Sequence, residues 1–327
     1  MQQELKQPNS QKSSKKFWIK CFVSAVLLVY LLYNTDIAAI WQAVKTADLF
    51  WILIAFVLHI LGVWLTAVRW RMLLAARGAH LSTWYLSRSV LIGIFLNNFL
   101  PSTVGGDVYR AYDTAAQVGS KTESMTVVVV ERLTGIFALG VFAIIALLFG
   151  FSHFGQIPII WLAIGGLGVL FTLFVAAMNH KVAKTVKAIV ERPELLHLPF
   201  LPKLRAKLKQ IYDALCVYKR NTRVMGVAFI VALFLQINVI FHYYCIAHAL
   251  ALQVPLMYFF LIIPVVTVVL MVPIFINGIG GREAAFIFLL GMFQVTSSQA
   301  IAFSWIAFGT MLLYGIGGGV LYALRNE

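Results

Sequence analysis

Apolar residues fall into long blocks separated by short polar breaks, at roughly 17–33, 50–68, 84–100, 124–150, 157–178, 224–250, 254–276, 284–295 and 299–324. A hydrocarbon core about 30 Å thick takes about 20 apolar residues per helix, so blocks of this length predict membrane-spanning helices. The block at 127–150 is interrupted only by Glu131 and Arg132, and 157–178 holds no charge at all. Residues 1–16 are polar and read as a loose tail, and 17–327 as a single transmembrane domain. The segment 15–33 has the outline of a signal peptide, but no small-x-small cleavage site follows it, so it reads as an uncleaved first helix. A basic stretch at 179–223 carries Pro193, Pro199 and Pro202. Its second half places Leu204, Leu208, Ile211, Leu215 and Tyr218 at helical spacing, flanked by Lys203, Arg205, Lys207 and Lys209. That pattern fits either a helix lying on the membrane surface or a solvated connector packed on the protein.

Charge then gives an orientation. Eleven of the 26 Lys and Arg residues lie between Lys181 and Arg223, and five more between Lys6 and Lys20. The positive-inside rule therefore puts the N-terminus and 179–223 in the cytoplasm. The loop 34–49, with Asp36, Asp48 and a single Lys45, suits the outside. The spans 124–150 and 157–178 form a hairpin joined by an uncharged turn, so position 123 is again inside. Segment 84–100 must then enter and leave on the same side, as a re-entrant loop; irregular backbone at that depth survives only where protein or a water-filled cavity surrounds it. A second segment, 254–295, repeats the device from the outside. The predicted fold is an all-α polytopic membrane protein of about six full spans plus two re-entrant broken segments, arranged as an inverted repeat. The competing arrangement makes 254–276 a full span.

Composition agrees. The chain is 61% hydrophobic and 12% charged, against about 25% charged for a soluble domain. A net charge of +14 has a bilayer explanation, so nucleic acid is not expected as a partner. Cys21, Cys216 and Cys245 are odd in number and far apart, which implies neither a disulfide framework nor a metal site. No Walker A, His-Glu-x-x-His or Gly-x-Ser-x-Gly sequence is present, so no ATP motor, zinc centre or nucleophile elbow is visible.

Ionisable residues inside apolar blocks cost about 2.5–3.5 kcal/mol each on insertion scales and so mark candidate chemistry. Asp107 and Arg110 share a helix face three residues apart, with Asp107 expected at an N-cap after Gly105 and Gly106. Glu131 and Arg132 point about 100° apart on a helix, so one is expected to face Arg110 or Arg282 and the other Asp107 or Glu283. Arg282 follows Gly280 and Gly281 at a helix start, where the dipole opposes a cation and favours an anion. A phosphate site is one reading of Arg282; neutralisation by Glu283 is the plainer one. All six charged residues are expected to gather in one buried polar cavity. Gln236, Asn238, His242 and His248 read as polar glue between helices, and Gly315 to Gly319 as a close-packing stripe.

The run Asn97-Asn98-Phe99-Leu100-Pro101-Ser102-Thr103-Val104-Gly105-Gly106-Asp107, with Arg110 after it, resembles the hallmark of a flippase-like membrane family. Glu131-Arg132 and Asn277-Gly278-Ile279-Gly280-Gly281-Arg282-Glu283 resemble it too. This is the family of the membrane half of bacterial lysylphosphatidylglycerol synthases, and it includes stand-alone proteins of this length. The resemblance implies a multi-pass protein of the cytoplasmic (inner) membrane that translocates a phosphate-bearing lipid, either a phospholipid or a polyprenyl-linked one. It also implies membrane lipids as partners, a lipid-modifying enzyme as an associate, and no cofactor. The sequence to Glu327 carries no soluble aminoacyl-transfer domain, so lysine transfer is not expected and the chain is not read as an enzyme. Arg110, Arg132 and Arg282 would contact phosphate. Asp107, Glu131 and Glu283 would hold those arginines or meet a cationic head group. Asn97, Asn98 and Asn277 would offer neutral hydrogen bonds, and Gly105, Gly106, Gly280 and Gly281 would open the backbone to the lipid. The alternatives are an integral membrane transferase using Asp107 or Glu131 as base on a lipid-linked sugar, and an accessory subunit of a lipid-modifying complex.

Overall fold

The computed structural model describes residues 36–99, 105–154, 221–271 and 277–325, with the isolated positions 26, 29, 30, 32, 33, 165, 168, 218 and 275. The tail 1–16, the span 157–178, most of the span 17–33 and most of the basic stretch 179–223 lie outside the described residues. Those described form helices α1 (Ile37–Lys45), α2 (Leu49–Ala75), α3 (Thr83–Phe99), α4 (Gly105–Val118), α5 (Lys121–Phe154), α6 (Thr222–Ala249), α7 (Leu256–Met271), α8 (Gly281–Gly291) and α9 (Ser297–Ala323), with no strand among them. Four stretches are long and apolar enough to cross a bilayer: Leu49–Ala75, Lys121–Ile145, Thr222–Ala249 and Ser297–Ala323. The protein is a polytopic all-α membrane protein.

The expected loop at 34–49 is corrected, because α1 occupies most of it. Asp36 caps that helix by accepting from the N–H groups of Ala38 and Ala39 at 2.9 and 3.1 Å. The cap satisfies donors that a helix start leaves open. Ile40, fully buried, pins the helix to the body of the protein.

Helices α3 and α4 make the first broken hairpin. With 17 and 14 residues they are about 25 and 21 Å long, too short to cross a core of about 30 Å. They run antiparallel: Tyr85 Oη donates to the Asp113 carboxylate at 2.9 Å near the open end, and Gly93 meets Gly106 near the tip. A Cβ on Gly106 would lie 2.0 Å from the Gly93 carbonyl oxygen, so the crossing admits glycine alone. Residues Gly105–Val118 are therefore helix folded back along the helix before it.

Helices α7 and α8 make the second hairpin. They have 16 and 11 residues, about 24 and 17 Å, and the same length argument applies. Leu270 closes on Gly278 at the tip, and the Tyr258 and Phe293 rings meet at 4.7 Å at the open end. Asn277, Gly278 and Gly280 hold φ of 51, 77 and 82°, the left-handed region where Gly is free and Asn is the best-tolerated alternative.

Helix α9 shows how the two hairpins relate. Along the first, Tyr85 touches Arg325 just past the end of α9, Leu91 faces Gly318, and Asn98 faces Gly315 and Met311. Along the second, Phe286 packs on Phe303, Glu283 meets Ser304, and Arg282 lies over Phe308. The hairpins thus enter from opposite ends of α9, and their tips face neighbouring turns at its middle. This is the inverted arrangement that the two similar sequence motifs predict. A Cβ on Gly318 would lie 2.1 Å from the Leu91 carbonyl oxygen, so the glycine stripe does bring α3 and α9 into backbone contact. The buried apolar residues divide accordingly, one cluster around α2, α3 and α5 and another around α6 to α9.

The bundle is held at its two ends. At one, the Asp48 N–H donates to the Ala249 carbonyl at 2.8 Å. At the other, Arg77 pairs with Glu123 at 2.5 Å and Arg325 with Asp113 at 2.5 Å. The Asp113 hydrogen bond raises the Arg325 pKa above its ordinary value, more than burial lowers it. This second end carries Arg71, Arg77, Lys121, Arg223 and Arg325, whereas Lys45 is the lone Lys or Arg at the first among the described residues.

Two outcomes follow. Under the positive-inside rule, an impermeant maleimide applied to intact cells should label Gln253→Cys and spare Gln117→Cys, in a background without the three native cysteines; the reverse pattern would invert the orientation. Gly106→Ala should lower thermal stability in detergent by at least about 3 kcal/mol, whereas Gly317→Ala, with nothing within 4 Å of its Cβ, should be near neutral.

Candidate functional site

The first charged group is assembled from three helices. Position 131 falls in the third turn of α5, and 107 and 110 lie in the first two turns of α4. Measured along either helix, these residues lie about 15 Å from the basic end. Glu131, 2% exposed, accepts from Arg69 Nη2 at 2.9 Å through one oxygen and from Arg110 through the other. Asp107 lies 3.8 Å from Arg110 and is bonded by Arg132. Arg110 also lies over the Trp70 ring, 4.1 Å from its centroid, a face that attracts cations. Three guanidinium groups thus meet two carboxylates, leaving the group one positive charge in excess. Arg69 and Arg110 are buried, yet among the described residues Arg69 Nε and Nη1 and Arg110 Nε find no hydrogen-bond partner. Leaving such donors unmet is costly, and an anionic oxygen is the acceptor that would suit them.

Asp107 is not the N-cap residue expected from the sequence. It stands third in α4, and its carboxylate goes to arginines instead. The helix start is satisfied from outside by Asn97 Oδ1, which accepts from the Gly106 N–H at 2.8 Å. Asn98 Nδ2 donates to the Met311 carbonyl at 3.3 Å, so the two asparagines lock the tip, one to α4 and one to α9. Gly105 opens α4. Arg132 leaves over half of its side chain exposed, unlike its partner.

The second group lies at the other hairpin tip. Glu283 accepts from the Gly280 N–H at 2.7 Å and from Ser304 Oγ at 2.7 Å. Both of its oxygens are therefore used, and it does not serve as counter-ion to Arg282. Arg282, 7% exposed, donates to the Asn277 carbonyl at 2.8 Å and lies 4.8 Å from the Phe308 ring centroid. No carboxylate among the described residues pairs with it. The guanidinium curls back over the left-handed turn, away from the unfavourable helix dipole. Gly281 allows this fold, since a Cβ there would meet the Phe275 ring at 2.6 Å.

The sequence candidates fall into two hydrogen-bonded networks. Asn97, Gly105, Gly106, Asp107, Arg110, Glu131 and Arg132 belong to the first tip, and Asn277, Gly280, Gly281, Arg282 and Glu283 to the second. Asn98 joins the first tip to α9. No hydrogen bond or ion pair among the described residues joins the two networks, although their tips face neighbouring turns of α9. Sequence reasoning missed Arg69 and Ser304. The missed signal is a stripe along α2: Gly62, Thr66 and Arg69 recur at helical spacing on one face of an otherwise apolar helix.

Residues 17–318 match the family described as the lysylphosphatidylglycerol synthase TM region. The chain belongs to this family. It is also similar to the UPF0104 membrane protein PH1989 of Pyrococcus horikoshii, 25% identical over 196 residues, which covers 59% of this chain and 56% of that protein. The chain therefore aligns with little more than half of that relative's length. No solved structure matches. Both findings agree with a multi-pass membrane protein, and the family suggests a lipid-related role in the membrane.

Glu131→Gln should leave two adjacent buried guanidinium groups without their shared carboxylate and destabilise the protein by about 3–5 kcal/mol. Arg132→Gln, at a half-exposed pair, should cost much less. Thermal unfolding of both variants in the same detergent checks the order.

Proposed function

We propose that this chain moves a phosphate-bearing lipid between the leaflets of the cytoplasmic membrane. The observation that carries the reading is the buried guanidinium pair at the first tip, Arg69 and Arg110, with three nitrogens that find no partner among the described residues at membrane depth. A lipid phosphate has the charge and the acceptor oxygens to meet them. The second tip supports the same reading, because Arg282 is buried with no carboxylate partner among the described residues and is held by a carbonyl and a ring. Two such tips, entering from opposite ends, would offer a head group one anion site nearer each leaflet. The Glu131 and Asp107 carboxylates hold the first site's arginines in place. A transferase would need a carboxylate free to take a proton. Asp107 and Glu131 each meet two guanidinium groups, which favours translocation over that rival.

Reconstituted protein should expose fluorescent phosphatidylglycerol from the inner leaflet of liposomes to a membrane-impermeant quencher. A new lipid product by mass spectrometry, without movement between leaflets, would establish the transferase reading instead. Arg282→Gln strands no carboxylate, since Glu283 has its own partners, so it should fold normally and lose lipid movement. Arg282→Lys should keep only part, because an ammonium lacks the planar fork. Full movement by Arg282→Gln would remove the phosphate role from this residue.

A further inference from the structure

Two histidines face each other where α2, α6 and α9 meet, and neither belongs to the arginine networks. The His59 and His242 rings have centroids 5.4 Å apart. His59 lies flat on Tyr314, 4.1 Å away with 5° between planes. His242 Nδ1 lies 2.8 Å from the Ala55 carbonyl oxygen. A carbonyl only accepts, so Nδ1 carries the hydrogen and the lone pair of the neutral ring sits on Nε2. The Tyr314 hydroxyl is spent on the Phe56 carbonyl, which fixes its ring as a platform. His59 lies ten residues into α2 and His242 seven residues before the end of α6, so both sit toward the Asp48–Ala249 end of two long apolar helices.

The surroundings decide what such a pair can do. On α9 the nearest ionisable group is Tyr314, with Tyr322 beyond it, and that helix carries no Asp, Glu, Lys or Arg. On α6 they are Tyr243, Tyr244 and His248, and at the start of the helix Arg223. On α2 they are Asp48 at the outset and Arg69 and Arg71 ten or more residues on. From the packed neighbours come Arg88 of α3, the paired Glu131 and Arg132 of α5, and Arg282 and Glu283 of α8. Glu131 and Glu283 are each fully engaged elsewhere. Among the described residues an imidazolium here finds no free carboxylate to answer it, only the face of Tyr314, which attracts a cation. Two imidazolium groups this close would repel, so the pair holds one added proton at most. An anionic head group arriving at the tips beside α9 supplies the missing negative charge. Proton and anion then bind better together than apart, and that linkage is reciprocal.

We propose that His59 and His242 form a one-proton site that couples proton passage to movement of the anionic lipid. The coupling rests on the translocator reading. A proton enters from water on one side, adds to an imidazole lone pair while the lipid phosphate occupies an arginine site, and leaves to water on the other side. No bond to the lipid forms or breaks.

Two measurements test this, one of which does not depend on lipid movement. In proteoliposomes, a gradient of two pH units should change the rate of fluorescent phosphatidylglycerol movement by roughly tenfold, within the ordinary range of coupling between sites. His59→Gln and His242→Gln should each abolish that dependence. If lipid moves but the gradient has no effect, or the effect survives in both variants, the proton site is wrong and the translocator reading stands. If no lipid moves under any gradient, the translocator reading fails. The site itself is then judged by nitrogen-15 NMR of histidine in full-length protein in nanodiscs. Between pH 4 and 8 the two rings should take up one proton jointly, and more readily in discs containing phosphatidylglycerol than in phosphatidylcholine alone. His59→Gln should erase the His242 response to lipid. Independent titration of the two rings, or no response to the anionic lipid, overturns the proposal.

Discussion

A charge placed in hydrocarbon must bring its own solvent, and in this protein Glu131 and Arg69 supply it to each other across two long helices. Each oxygen of Glu131 accepts from a different guanidinium, so one carboxylate ties α2 and α5 to the returning arm of the first hairpin. The hairpin has no other way to be at that depth, since its two arms are too short to span. The helix ends beside its tip must be satisfied by side chains, and Asn97 and Asn98 do this by bonding α4 and α9. The packing around it follows: Gly93 against Gly106 and Gly318 against Leu91 are approaches that only a missing Cβ permits. In lipid, where apolar contact between helices gains little over apolar contact with chains, such backbone approach and polar bonding take the place of a hydrophobic core.

The second hairpin solves the same problem with a different distribution of charge. Its carboxylate, Glu283, is consumed locally by the turn and by Ser304. Its arginine is left with a carbonyl and a ring. The first tip is therefore a shared ion network, stiff and costly to break, and the second is a single cation on a strained turn. The two halves resemble each other in path but not in electrostatics, as expected if one tip holds a ligand's charge against a network and the other against little else.

Much of this was legible in the chain. Asp107, Arg110, Glu131, Arg132, Arg282 and Glu283 stand out because each interrupts apolar sequence, where ionised groups are rare for a physical reason. Glu131 facing Arg110 and Arg132 facing Asp107 are among the pairings that helical geometry allows. The two Gly-Gly breaks and the inversion between them were legible from charge parity. Arg69 was not, because a basic residue one and a half turns from a helix end satisfies the interface reading equally well, and only its partner's position distinguishes the two. The separation of the networks was not legible either, since sequence spacing says nothing about which turn of α9 each tip reaches. The helix at 37–45 was hidden by its shortness: nine residues flanked by Asp36 and Asp48 read as a loop until the caps are seen bonding the backbone.

Helix α9 also sets a limit on how the chain can vary in length. Ser304 and Phe308 serve one hairpin, and Met311, Gly315 and Gly318 serve the other, all within a single unbroken helix. Deleting or inserting one residue between Phe308 and Met311 would rotate one set of contacts by about 100° relative to the other and shift it by about 1.5 Å. Substitutions in that interval can be absorbed side chain by side chain, but a change in its length cannot. The spacing between the two halves is thus written into the phase of one helix, and the repeats can diverge in sequence far more freely than they can drift in register.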